Sequence, residues 1–513
     1  MHHLMQMEEE AMQGMPDYLF LCSLAAIGLL SGIILIIFIK GRTTTENYPK
    51  YDLLNITLIK SLANKRPFQT MIQLPGVFLF LLIIYAGLYG TSYPARNIAP
   101  ILTWTIWWTG IIIAIVFMGK LWCLMCPWDA IASWLQRLGL WKVKKDIFSL
   151  NLPWPKRLRN IYLAIGLFIL LTWLELGYGV TFSPKATAYL GIVMLSITIL
   201  PAIIFERKSF CRYACLVGRI SGLYAMFASS ELRARDKNIC AACKTKDCLK
   251  GNDSGYGCPT FEYLGNMVTN TYCILCTECI KTCPRDNVSF NLRPFATDLV
   301  KAVQPKTDEA ILSLVMLSLT LFHGLTMTPY WRTISTKLGS QLNLGYLPSF
   351  TLAMAAIIII PGLIYFLFSW IIKGSLRQED IPLKKVFINF TYPILPLALF
   401  YHLAHNSQHL LQEGQKLIPL ISDPFGWQWD LLGTAAWSPK PLISLSVIWY
   451  IQSLLLVIGY GYAAYIAGIM SQQSFADQRR AFRSHILLLI FLFLCAFVSL
   501  WLMRQPMEMR TAM

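Results

Sequence analysis

Apolar residues fall in ten long runs separated by polar loops, at about residues 18–39, 69–91, 100–118, 160–180, 187–206, 308–328, 350–372, 386–410, 442–468 and 484–503. About twenty apolar residues in helical conformation cross the roughly 30 Å hydrocarbon layer of a bilayer, so each run predicts a membrane-spanning helix. The runs at 160–180 and 187–206 fit least cleanly, because Glu175 and a short loop around Pro184 interrupt them. One stretch breaks the rhythm. Residues 207–307 are polar, mix Lys and Arg with acids, and are numerous enough to bury a core of their own. The pattern predicts an all-α polytopic membrane protein of about ten spans with a small α+β domain inserted at 207–307, between membrane units 1–206 and 308–513. The loop 411–441, rich in Trp, Pro and Gly, reads as an interfacial cap, since Trp settles at headgroup level.

Composition agrees with a lipid environment. Only 14% of the 513 residues are charged and 56% are hydrophobic, against about 25% charged in soluble domains. The net charge of +17 reads as membrane orientation, with no nucleic-acid partner implied. Lys and Arg crowd alternate loops (Lys40 to Arg66, Lys120 to Arg159, Lys373 to Lys385, Arg479 to Arg483), whereas the loops between them hold few, such as Arg96 and Lys185. Cytoplasmic loops carry the basic excess. The polar insert is therefore expected on the cytoplasmic side of a bacterial inner membrane, with both termini outside. The first residues, MHHLMQMEEE, lack the basic start of a cleavable signal peptide; His2 and His3 there read as part of a plain tail.

Twelve of the fourteen cysteines lie in short groups, while Cys22 and Cys495 sit inside apolar runs as core thiols. Residues 273–284 read Cys273-Ile-Leu-Cys276-Thr-Glu-Cys279-Ile-Lys-Thr-Cys283-Pro284, the C-x2-C-x2-C-x3-C-P run in which three thiolates hold one [4Fe–4S] cluster and the fourth serves a neighbouring cluster. The partner run is Cys240, Cys243, Cys248 and Cys258-Pro259, with longer second and third gaps. Crossover then assigns Cys240, Cys243, Cys248 and Cys283 to one cluster, and Cys273, Cys276, Cys279 and Cys258 to the other. A pair of four-thiolate zinc sites is the competing chemistry. An internal repeat adds four more thiols. FMGKLWC ends at Cys123 and FERKSFC at Cys211, both following F-x-x-K-x-aromatic-C, with Cys126 and Cys215 shortly after. Those four either hold a third metal centre or form two separate dithiols.

Together with the cluster runs, NIAPILTWTIWWTG (97–110), GKLWCLMCP (119–127) and FCRYAC (210–215) carry a resemblance to the NapH/NosR-type membrane polyferredoxins, to which CcoG/FixG-type proteins are also similar. It covers roughly residues 60–300 and implies C-x3-C-P motifs at cytoplasmic helix ends followed by a cytoplasmic dicluster ferredoxin-like domain. Here the first motif is shortened to C-x2-C-P, and the second has Leu216 in place of proline.

Histidine distribution raises a further question. His402, His405 and His409 fall on one face of the eighth apolar run, near its outer end, and His323 lies near the outer end of the sixth. Ionisable groups at membrane depth are costly and usually functional. Haem b ligation, hydrogen bonding to a quinone and plain interhelical hydrogen bonding all stay open at these four residues. The resulting expectation is an electron-transfer protein working between a quinone pool or periplasmic redox protein and cytoplasm-side clusters, as a subunit of a larger membrane complex, such as a quinol-linked oxidoreductase. A metal or thiol reductase serving metalloenzyme biogenesis is the alternative.

Overall fold

The computed structural model describes residues 11–41, 48–140, 148–301, 305–375, 381–438 and 443–508; His2 and His3 lie outside them. Where no water is available, a backbone satisfies its own polar groups most simply as helix, and the long apolar runs do this. The main helices along the chain are α1 (Asp17–Lys40), α2 (Phe68–Tyr89), α3 (Ile98–Met118), α4 (Pro127–Arg137), α5 (Tyr162–Leu176), α6 (Pro184–Ile204), α7 (Leu216–Tyr224), α8 (Thr307–Thr326), α9 (Tyr346–Ser375), α10 (Ile394–Glu413), α11 (Leu445–Ser474) and α12 (Gln478–Arg504), with α4 and α7 the two shorter ones. Among the described residues, eight helices are long and apolar enough to cross a membrane: α1, α2, α3, α6, α8, α9, α11 and α12. The helices Leu383–Asn389 and Ile394–Ser422 qualify only together, bent by 41° at their junction. Pro393 at that junction has no N–H to continue a helical ladder. The run at 160–180 yields only the 15 residues of α5, about 22 Å long at 1.5 Å per residue.

The helices pack in two groups. In the first, α2, α4 and α6 pack on one another. In the second, α8 to α12 pack together and take in α1, which lies against α11 and α12. The first helix therefore leaves its sequence neighbours, seating Ile27, Ile34 and Phe38 in that core and Ser31 2.6 Å from the Tyr460 hydroxyl. The ends of this pairing are pinned by a two-stranded ladder, β1 (Ala11–Met12) with β5 (Met507–Glu508), and by Arg504 bonded to Asp17 at 2.7 Å. Contacts of α3 and α7 on α10 and of α5 and α7 on α8 join the first group to the second.

The polar lobe is built on a three-stranded antiparallel sheet in the order β2 (Tyr51–Asp52), β4 (Val288–Leu292), β3 (Ser230–Ala234). Strand β2 comes from before α2, so the lobe extends beyond the predicted 207–307 boundary. Lys60–Asp286 and Arg235–Asp52 ion pairs at 2.8 and 2.9 Å fasten this N-terminal arm. At its base Arg233 and Arg293 meet Glu231 and Asp298, all four buried.

Candidate metal centres

Two cavities in the polar lobe are each lined by four thiols. Cys258, Cys273, Cys276 and Cys279 line one, with Thr260, Leu264 and Met267. Cys240, Cys243, Cys248 and Cys283 line the other, with Pro284 and Asn287. The structure thus brings the eight thiols together in the two interleaved sets expected from their spacing. Local backbone explains the sorting. Leu275 and Thr277 adopt positive φ (55° and 61°), a conformation that costs a non-glycine residue of order 1 kcal/mol or more and curls Cys273, Cys276 and Cys279 around one space. The short helix Glu278–Thr282 then carries Cys283 away from them. Lys246, between Cys243 and Cys248, and Phe261, after Cys258, are also at positive φ.

Several donors aim at the sulfurs. The Asn287 backbone N–H reaches Cys283 Sγ at 3.4 Å while its side-chain amide reaches Cys240 Sγ at 3.3 Å. The Glu262 N–H donates to Cys258 Sγ at 3.2 Å. Burial pushes the Cys248 thiol up to about 11, with Cys283, Cys240 and Cys243 adding to the rise. Burial likewise pushes Cys273 up to about 11, with Cys258 adding to it. Four such thiols can ionise together only beside compensating positive charge.

A third cavity sits where the helices meet the lobe, lined by Cys123, Cys126, Cys211 and Cys215. The repeat noted in the sequence brings the two pairs to one place. The repeat lysines, whose role the sequence left unread, come with them: Lys120 and Lys208 both line the cavity, together with Arg212 and Asp129. Lys208 pairs with Asp129, and Cys211 Sγ lies 3.6 Å from the same carboxylate. Lys120 donates to the Thr271 carbonyl at 3.3 Å, tying the end of α3 to the segment that leads into Cys273. The Gly218 N–H donates to Cys215 Sγ at 3.3 Å.

The cavities adjoin. Leu264 lines both lobe cavities, and Thr260 and Ile274 line both the Cys258 cavity and the helix-end one. Leu124, Ile274 and Cys276 form one small buried cluster with Cys123 against it. Among the described residues, no three Cys, His, Asp or Glu side chains converge closely enough to hold a single metal ion.

The membrane histidines divide. His323 and His405 meet edge to face with ring centroids 4.8 Å apart, and His409 follows at 5.3 Å from His405. His409 Nδ1 lies 3.5 Å from Glu413 Oε2, to which Thr105 also donates at 3.4 Å. His402 lies apart from this row, with its ring 5.8 Å from that of Trp108 and 6.2 Å from that of Tyr224. Axial haem ligands face each other across the iron and its flat macrocycle. Rings in direct contact leave no space for one, so His323 and His405 do not fit a haem in this arrangement. His485, on α12, bonds the Ala464 carbonyl at 3.1 Å and serves helix packing.

No family model matches the chain, and no solved structure does. Over 188 residues the chain is 29% identical to an uncharacterised protein of Methanocaldococcus jannaschii, an alignment covering 35% of this chain and 69% of that protein. By sequence, then, about a third of the chain is similar to an archaeal protein whose description gives no activity.

Proposed function

We propose that the chain is a membrane-bound electron carrier whose twelve grouped cysteines hold three [4Fe–4S] clusters. It passes electrons between a quinone pool or an outer-face redox partner and the cytoplasm-side clusters, as a subunit of a larger respiratory complex. The number of cysteines alone carries little weight. The single observation behind this function is that three adjoining cavities are each lined by four thiols drawn from separated segments. Zinc would draw four thiolates in to about 2.3 Å. A four-iron cage instead spreads its thiolates around a larger body, which suits thiols that surround a cavity. Bound clusters would supply one-electron acceptor sites. The chain's own residues hold them in a row, shield them, and set their potentials through hydrogen bonds to sulfur and nearby charge.

The lobe, in this proposal, has a dicluster ferredoxin-like role and faces the cytoplasm. The ladder between β1 and β5 puts the start of α1 beside the end of α12, which requires an even number of crossings. Eight long helices meet that condition, and so does the proposed count of ten, in which the bent pair and the short α5 each cross as well.

Replacing Cys283 tests the cluster assignment. Cys283→Ala is expected to abolish or alter the EPR signal of the cluster served by Cys240, Cys243 and Cys248 and to leave its neighbour intact. Selective loss of the Cys273–Cys279 cluster would contradict the assignment.

A further inference from the structure

The row of cavities continues into the membrane helices. A fourth and much larger one, with about 1310 Å3 of space between atoms, part of it open to the surroundings, lies among α2, α3, α5 and α6. It shares Trp122, Trp128 and Val217 with the four-thiol cavity at the helix ends. Its walls are flat and aromatic, with Trp104, Trp107, Trp108 and Phe168 beside the two shared tryptophans. Much of that wall comes from one unusual segment. Residues Ile101–Trp107 form a π-helix, a rare turn that collects at functional sites. This π-helix supplies Leu102, Thr103, Trp104, Ile106 and Trp107 to the lining.

Away from the thiols the lining becomes polar. Thr172 and Glu175 on α5 and Thr187 on α6, all buried, line the cavity there, and Trp104 Nε1 donates to Thr187 at 3.0 Å. From Pro75 to Ile83 the lining follows α2 over about 12 Å of the helix. Leu79 belongs to this wall and is 44% exposed, on the side where the space is partly open to the surroundings.

We infer that this cavity binds the ring of a quinone-class lipid carrier, with Glu175 meeting a ring oxygen and the isoprenoid tail leaving past Leu79. An apolar cavity with a few polar groups at one end is what a small hydrophobic ligand requires. Flat tryptophan walls select a flat ring, and the carboxyl serves both redox forms. Ionised, it accepts from a hydroquinone hydroxyl; protonated, it donates to a quinone carbonyl. The redox purpose of the site rests on the electron-carrier function proposed above, whereas the binding itself does not. This quinone site lies in the other helix group, beside the thiols, and apart from His323, His402, His405 and His409, where quinone is one of three readings.

Photolabelling of the full-length purified protein with a tritiated, short-tailed azido-quinone tests this. Label is expected in peptides covering 102–108 and 168–194, displaced by the parent quinone but not by the same isoprenoid alcohol without its ring. Glu175→Gln should weaken displacement about tenfold, the size of one charge-assisted hydrogen bond of about 1.5 kcal/mol, while iron content stays at the wild-type level. Met194→Phe, which fills the cavity from α6, should reduce labelling in the same peptides. Equal competition by the ringless alcohol would make the cavity a lipid-chain pocket and overturn the inference, as would label confined to α8 and α10. Full iron content without saturable labelling sinks this site alone. Labelling in a protein that holds zinc at its thiols sinks the electron-carrier function and leaves this site standing.

Discussion

Asn287 shows how much one side chain can decide. It follows Asp286, which turns at φ 47°, and so sends its backbone N–H to Cys283 and its amide to Cys240. Two donors on two sulfurs of one proposed cluster favour the more negative, reduced form, and such bonds tune cluster potentials. Asn287→Leu is therefore expected to lower the midpoint potential of that cluster and to spare its neighbour, as read by EPR-monitored redox titration. An unchanged potential would remove Asn287 from the tuning set. Sequence had no signal for this residue, because its role depends on a turn that spacing does not reveal. Lys120 and Lys208 were closer to legible. They are fixed positions of the repeat, and only their purpose, positive charge beside four thiols, needed the fold. The cysteine grouping was legible because ligand spacing is local. The histidines were not, because helix periodicity gives a face without saying what the face meets.

At the scale of elements, the polar lobe depends on one buried ionic cluster. Arg233 and Arg293 bracket Glu231, and Asp298 closes the group onto the segment after β4. Removing one partner of a buried pair leaves uncompensated charge and costs about 3–5 kcal/mol. Asp298→Asn should thus loosen β3 and β4, seen as faster amide exchange across 230–234 and 288–292 with the membrane helices unaffected. Protection equal to wild type would show that the pair contributes little. Most helices were readable from apolar runs of sufficient length, and the exceptions have causes. The Gly177–Pro184 turn ends α5 early, and Pro393 bends the approach to α10. Strand β2 is only two residues long, too short for alternation to register. Neither the π-helix in α3 nor the docking of α1 on α11 and α12 leaves a mark in hydropathy. In lipid, helices associate by packing and hydrogen bonds more than by hydrophobicity.

For the whole molecule, the row of cavities defines a direction. It runs from the Cys240 cavity at the lobe through the Cys258 and helix-end cavities to the apolar one among the membrane helices. In the proposed orientation, with the lobe in the cytoplasm where a reducing environment keeps thiols available, this path would join the lipid phase to the cytoplasmic side. Alkaline phosphatase fused near residue 290 is then expected to be inactive and a fusion near 430 active; the opposite pattern would invert the protein. The proposed electron path depends on what the twelve thiols hold. The most direct measurement is iron, acid-labile sulfide and zinc on the purified protein. About twelve iron and twelve sulfide per chain, four of each per cluster, are predicted, with a broad visible absorbance that bleaches on reduction. Eight of each would deny the helix-end cavity its cluster, and zinc without sulfide would contradict the central claim outright.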